Sequence, residues 1–296
     1  MGIIDFILNL AALLLWMNWL PVRFDPLARA SAATLVGTLR KAGEPRKRRW
    51  VFGASLVLLL VARAFFYWQI GAGVNWTPKL NLGAITLSFP LSFRGDFFGL
   101  MLLYSLISFM VVLTGFYLWL LLLSFLSNRG NEPGPFFRLV QVHLGPVARW
   151  PWPMRLLLPW AGVALLWLMV NPLLVRMQIV PPPVSWGHRL EQGAILGVSS
   201  LLVWQYLIGG LLALHILNSY VYLGRHPFWN FVTLAAGSLL KPLRRLPMRV
   251  DKVDLSPLLG IAIVMGLAYL AENGRDIPFT TLRLPSLADV YRKLPL

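Results

Sequence analysis

The sequence predicts an all-α integral membrane protein of about six transmembrane helices. Three observations carry the prediction. Hydrophobic residues make up 57% of the 296 residues and charged residues only 13%, about half the charge of an ordinary soluble domain. The apolar residues fall in six long blocks. The basic residues alternate between the loops that join those blocks.

The blocks cover residues 3–20, 50–70, 97–126, 156–175, 195–223 and 255–271. A helix needs about 20 apolar residues to cross a hydrocarbon layer of about 30 Å, and at these lengths only a helix satisfies its own backbone in lipid. The first and last blocks are slightly short, whereas the third and fifth are long enough to tilt or project. Ala30, Ser31 and Ala32 resemble a cleavage site. However, Asp5 stands at the start of the first block and the arginines follow the block, the reverse of a signal peptide, so the block is expected to be retained. Of the 27 Lys and Arg residues, eight, four and six lie in the first, third and fifth loops, and two each in the second and fourth. The positive-inside rule then predicts cytoplasmic odd loops, with both termini outside. The net charge of +16 is thereby read as membrane orientation and attraction to anionic headgroups, not as nucleic-acid binding. With no cysteine, disulfides and Cys-ligated metals are excluded.

The chain also reads as three copies of a span, a basic linker and a span: residues 1–95, 96–190 and 191–275, followed by an extramembrane tail, 276–296. Aligned on Pro26, Pro135 and Pro227, the copies place Asn18, Ser127 and Ser219 eight residues before the proline. Arg40, Arg149 and Lys241 stand fourteen residues after it. Proline suits a first helical turn. In the third copy Asn230, Thr233, Gly237 and Lys241 recur at three- and four-residue steps, with Phe228, Trp229, Phe231, Val232, Leu239 and Leu240 on the other sides. That pattern predicts an amphipathic linker helix in the headgroup zone. Short strands are expected near residues 80–89 and 279–284, and an extended turn at Pro181, Pro182 and Pro183.

From Pro227 the chain continues through Leu239, Leu240, Lys241, Pro242, Leu243, Arg244 and Arg245 to Pro247, then Asp254, Leu255, Ser256 and Pro257. This order and spacing resemble the signature of the YggT family over about residues 211–271. Family units often carry Arg where His215 stands, four residues before Ser219, and an acidic residue with Pro where this chain has Gly237 and Ser238. The family typically has two units and four spans, against the three and six read here. The resemblance implies a membrane protein without established enzyme activity. Relatives are tied to biogenesis of membrane complexes, cell division, and tolerance of osmotic or ionic stress.

In physical terms, Asp254 or Ser256 is placed to cap the last span, with Pro257 in its first turn. Arg244 and Arg245 are placed at the anionic cytoplasmic surface. Pro227, Lys241, Pro242, Arg244, Arg245, Asp254, Ser256 and Pro257 are therefore the candidate partner- or lipid-binding residues. Arg63, His215 and Ser219 are the candidate polar groups within the membrane. For Arg63 the expected partner is Asp5, with snorkelling to the interface, or a place on a substrate or proton path, as the alternatives. For His215, Asn218 and Ser219, with Gln205 above them, hydrogen bonding to another helix is expected.

No catalytic, cofactor or metal motif is read. The four histidines are scattered, and there is no phosphate loop, nucleophile elbow or HExxH. The leading expectation is a non-enzymatic assembly or scaffold factor for a membrane complex of the respiratory, photosynthetic or division machinery, in a bacterial inner membrane. Its partner would be another membrane protein or a second copy of the chain. An ion or proton channel or transporter, and a structural subunit of a larger complex, are the alternatives.

Overall fold

The protein is described from a computed structural model, which defines residues 2–20, 47–74, 77–89, 98–127, 140–141, 143–221, 227–243, 249–250, 253–276 and 283–293. The chain is helical, and six apolar segments are long enough to cross a membrane. They are α1 (Gly2–Trp19), α2 (Lys47–Val74, apolar over Trp50–Ile70), α3 (Phe98–Ser127), α4 (Trp152–Arg176), the segment Trp186–Tyr220, and α8 (Ser256–Asn273). Only 11% to 33% of each apolar window is buried within the protein. Ile3 is 78% exposed, Trp50 80% and Met169 76%. So much exposed apolar surface has no place in water; it faces lipid, and the protein is a multi-pass membrane protein.

The chain divides into two compact units. The first comprises Met1–Pro78 and Phe89–Leu113, and the second Lys79–Ser88 and Thr114–Leu296. The boundary falls inside α3. In the first unit Ala12 of α1, Leu56 and Leu60 of α2, and Phe109 of α3 form the core, flanked by Leu15, Trp16, Leu59 and Leu113.

In the second unit β1 (Lys79–Asn81) and β2 (Thr86–Ser88) form an antiparallel hairpin with Leu80 opposite Leu87, where short strands were expected. The 3-10 turn Gly145–Arg149 precedes α4. The extended prolines 181–183 lead to α5 (Trp186–Ser200), whose first turn is capped by Ser185 Oγ accepting from His188 N at 3.1 Å. α4 and α5 pack antiparallel with their backbones close together. A Cβ on Gly197 would lie 2.6 Å from Trp160 O, and one on Gly193 3.3 Å from Ala164 O. Gly193 and Gly197 thus form a small-xxx-small stripe, the device by which helices approach in lipid, where packing rather than a hydrophobic difference holds them.

The fifth span begins at Trp186, nine residues before the expected start. Gly187, His188, Arg189, Glu191 and Gln192 dilute its apolar content, so hydropathy alone misses its first turns. At Leu201–Val203 it tightens into a 3-10 turn before α6 (Trp204–Tyr220). Two indoles clamp this break: Trp119 Nε1 donates to Val203 O at 3.0 Å and Trp204 Nε1 to Leu118 O at 2.9 Å. An indole N–H is a donor only and needs an acceptor when water is excluded.

The linker helix α7 (Pro227–Leu240) forms over the residues whose pattern predicts it. Val232, Ala235 and Leu240 are buried, Ala235 packing with Leu126 and Leu211, and Leu240 with Leu212. Asn230, Thr233 and Lys241 are exposed. The helix is thus docked on its own bundle, with its polar stripe outward. Two-residue strands β3 (Arg249–Val250) and β4 (Val253–Asp254) lead to α8. After it, Gly274 turns at φ +65°, where a Cβ would meet Leu284 O at 2.5 Å. Strands β5 (Arg275–Asp276) and β6 (Arg283–Leu284) pair there, and the tail ends in α9 (Leu287–Lys293). Ser286 Oγ accepts from Asp289 N at 3.0 Å and Asp289 Oδ2 from Ser286 N at 3.3 Å, a reciprocal cap that starts α9.

Candidate functional site

The strongest polar feature within the spans lies in the first unit and is assembled from three helices, each contributing residues four apart. Asp5 and Asn9 stand on one face of α1, Arg63 and Tyr67 on α2, and Tyr104 and Ser108 on α3. Arg63 Nη2 lies 2.7 Å from Asp5 Oδ1 and donates to Ser108 Oγ at 3.0 Å. Its Nη1 donates to Asn9 Oδ1 at 2.7 Å. Asn9 closes a ring by donating through Nδ2 to Ser108 Oγ at 3.1 Å. The Asp5 carboxylate accepts from the Tyr67 hydroxyl at 2.5 Å and from that of Tyr104 at 3.3 Å. Both phenol rings flank the guanidinium, at 5.4 and 5.5 Å from their centroids. Beside the cluster, Ser105 Oγ donates to Leu60 O at 3.0 Å.

The side chain of Arg63 is 1% exposed and that of Asp5 17%. A charge at this depth is tolerated when a counter-charge and hydrogen bonds replace its hydration, and the cluster supplies both. Snorkelling is thereby unnecessary: the guanidinium turns inward to Asp5. The carboxylate is committed to three donors and the cation to a carboxylate, an amide and a hydroxyl. Chemically this is an intramembrane ion pair that ties α1, α2 and α3 together, with Arg63 Nε left buried without a hydrogen-bond partner. Asn9, Tyr67, Tyr104 and Ser108 were missed by reasoning from charge alone. Their signal was the four-residue spacing of polar groups within each apolar block.

The other sequence-predicted residues lie in the second unit, and those among the described residues form no single site. His215 is half-buried on α6. Ser219 is exposed, and its hydroxyl bonds back to Ile216 O at 2.8 Å rather than to another helix. Asn18, at the matching position of the first copy, likewise bonds back to Leu14 O, at 2.8 Å. The expected bonds between helices come instead from Asn218 Nδ2 to Thr233 Oγ1 at 3.4 Å and from Gln205 Nε2 to Glu272 Oε1 at 3.3 Å. Pro227 opens α7, and Lys241 and Pro242 are exposed just after it. Arg244 and Arg245 lie outside the described residues. Of the two candidate caps, Asp254 takes the role: its Oδ1 accepts from Ser256 N at 3.0 Å. Ser256 and Pro257 are buried in the first turn of α8. Among the described residues no three His, Asp or Glu side chains are grouped to hold a metal ion. No protein-family model, curated protein or solved structure matches the chain.

Proposed function

We propose that the protein is a non-enzymatic assembly or scaffold factor for a membrane complex, and a diverged three-copy relative of the YggT family. The observation that carries this reading is the commitment of the Arg63–Asp5 pair to partners on three helices. The ion pair is spent on holding three helices together, which leaves the apolar span faces and the linkers as surfaces for other molecules. The exposed stripe of Asn230, Thr233 and Lys241 on α7 supports the same reading, as do the shared back-bonds of Asn18 and Ser219 for the repeat. In this proposal the membrane is a bacterial inner membrane, the odd loops are cytoplasmic, and Lys241, Arg244 and Arg245 meet anionic headgroups or a partner there.

The test is gentle solubilisation of the native membrane with a tag at the C-terminus, followed by identification of what co-purifies. The expected result is a reproducible membrane-protein partner, lost when Arg244 and Arg245 are replaced by Gln. A constant stoichiometry would make the protein a structural subunit. A homo-oligomer without a partner, together with ion flux in liposomes that His215→Ala abolishes, would overturn the proposal in favour of transport.

A further inference from the structure

Arg155 stands in the first turn of α4 and is only 4% exposed. Its Nη1 donates to Ser124 Oγ on α3 at 2.9 Å, and its guanidinium lies 5.2 Å from the centroid of the Phe125 ring. Its Nε, like that of Arg63, is buried without a hydrogen-bond partner. Arg63 and Arg155 are both buried arginines, but they differ in one respect. Arg63 has Asp5; among the described residues no carboxylate lies within ion-pair distance of Arg155. A guanidinium does not deprotonate in proteins, and neither a serine hydroxyl nor a phenyl ring carries a compensating charge. A buried charge without a partner is strongly unfavourable. The surroundings compound the excess of positive potential. The first turn of α4 has no acidic residue, and Pro151 at its N-cap offers no side-chain hydrogen bond, so the positive end of the helix dipole has no partner from its own first turn or N-cap.

The level of the site bears on the kind of anion that would suit it. Trp150 and Trp152, 42% and 62% exposed, flank the start of α4, and indoles concentrate at the level of lipid headgroups. An anion available at that depth is a phosphodiester, and guanidinium with phosphate is a charge-assisted, geometrically matched pair. The geometry points to a specific phosphate site built from Arg155, Ser124 and the first turn of α4, occupied by the headgroup of an anionic lipid. The inference is independent of the assembly role.

The test uses the full chain in detergent, with phosphatidylglycerol, phosphatidylcholine and inorganic phosphate as separate probes. Lipid retention is read by native mass spectrometry, and apparent affinity by the shift of the thermal midpoint. The expected result is saturable retention of phosphatidylglycerol that Arg155→Gln weakens at least about tenfold. Ser124→Ala should weaken it less, and Arg176→Gln, an exposed cation at the far end of α4, should leave it unchanged. If Arg155→Gln fails to fold, Ser124→Ala against Arg176→Gln carries the comparison. Stabilisation by inorganic phosphate alone, at equal concentration and equally dependent on Arg155, would uphold the phosphate site but assign it to the free anion. Retention of either lipid that is indifferent to both Arg155 and Ser124 would overturn it.

Discussion

Replacing Asp5 with Ala removes the counter-charge of Arg63 while leaving the guanidinium buried. The cost depends on the environment of the pair. An ion pair in water contributes about 0–1 kcal/mol, and a hydrogen bond between membrane helices about 0.6 kcal/mol. Breaking a buried pair costs about 3–5 kcal/mol, because the surviving charge is stranded. With side-chain exposures of 1% for Arg63 and 17% for Asp5, the buried regime applies. The partial exposure of Asp5 and the remaining bonds from Arg63 to Asn9 and Ser108 place the effect near the lower end, about 3 kcal/mol. Asp5→Asn keeps an acceptor and should cost less. The double variant Asp5→Ala, Arg63→Leu removes the stranded charge and should recover most of the loss, since apolar replacement of a buried pair is close to neutral. Reversible unfolding in mixed micelles, followed by circular dichroism, measures all three. An Asp5→Ala cost below about 1 kcal/mol, or a double variant no more stable than the single one, would refute the reasoning.

Three further outcomes follow from the second unit. Gly197→Ala should loosen the α4–α5 hairpin by about 1–3 kcal/mol, because its Cβ would lie 2.6 Å from Trp160 O; unchanged stability in the same unfolding assay would show that the backbones separate freely. Gly274→Ala should destabilise the turn from α8 into β5 by at least about 1 kcal/mol, since φ is +65° and the Cβ would lie 2.5 Å from Leu284 O; hydrogen exchange over residues 275–293 should rise, while exchange in α1 should not. Burial pushes the Tyr291 phenol from 10.0 up to about 12. Below pH 10 it is protonated both folded and unfolded. As the pH rises from there through 12, the unfolded form loses its proton first, so stability falls. The phenolate absorbance difference between the protein and Tyr291→Phe should titrate near 12, and a midpoint near 10 would contradict the burial of this ring.

Reasoning from composition located the membrane helices well because span formation is a local property. A block such as residues 97–126 must be helical in lipid wherever it packs, and the structure has a helix at Phe98–Ser127. The pairing of Arg63 with Asp5 was legible for a related reason: a charge within a span needs a partner, and few were on offer. Local chemistry also marked the helix starts, as at Asp254 before Ser256. The start at Trp186 was not legible, because polar residues such as His188 and Gln192, buried in the fold, mimic a loop in a hydropathy reading.

By itself the sequence determined that the chain is a helical, multi-pass membrane protein, roughly where each span lies, and that α7 is amphipathic. These follow from the free energy of moving side chains and backbone between water and lipid, which each segment carries alone. The tertiary structure alone decided which polar groups meet. Asn9, Tyr67, Tyr104 and Ser108 join the ion pair, Trp119 and Trp204 clamp the 3-10 turn, and Arg155 meets Ser124 but, among the described residues, no carboxylate. The physical reason is that such partners lie tens of residues apart along the chain, and only helix packing brings a donor within 3 Å or so of its acceptor.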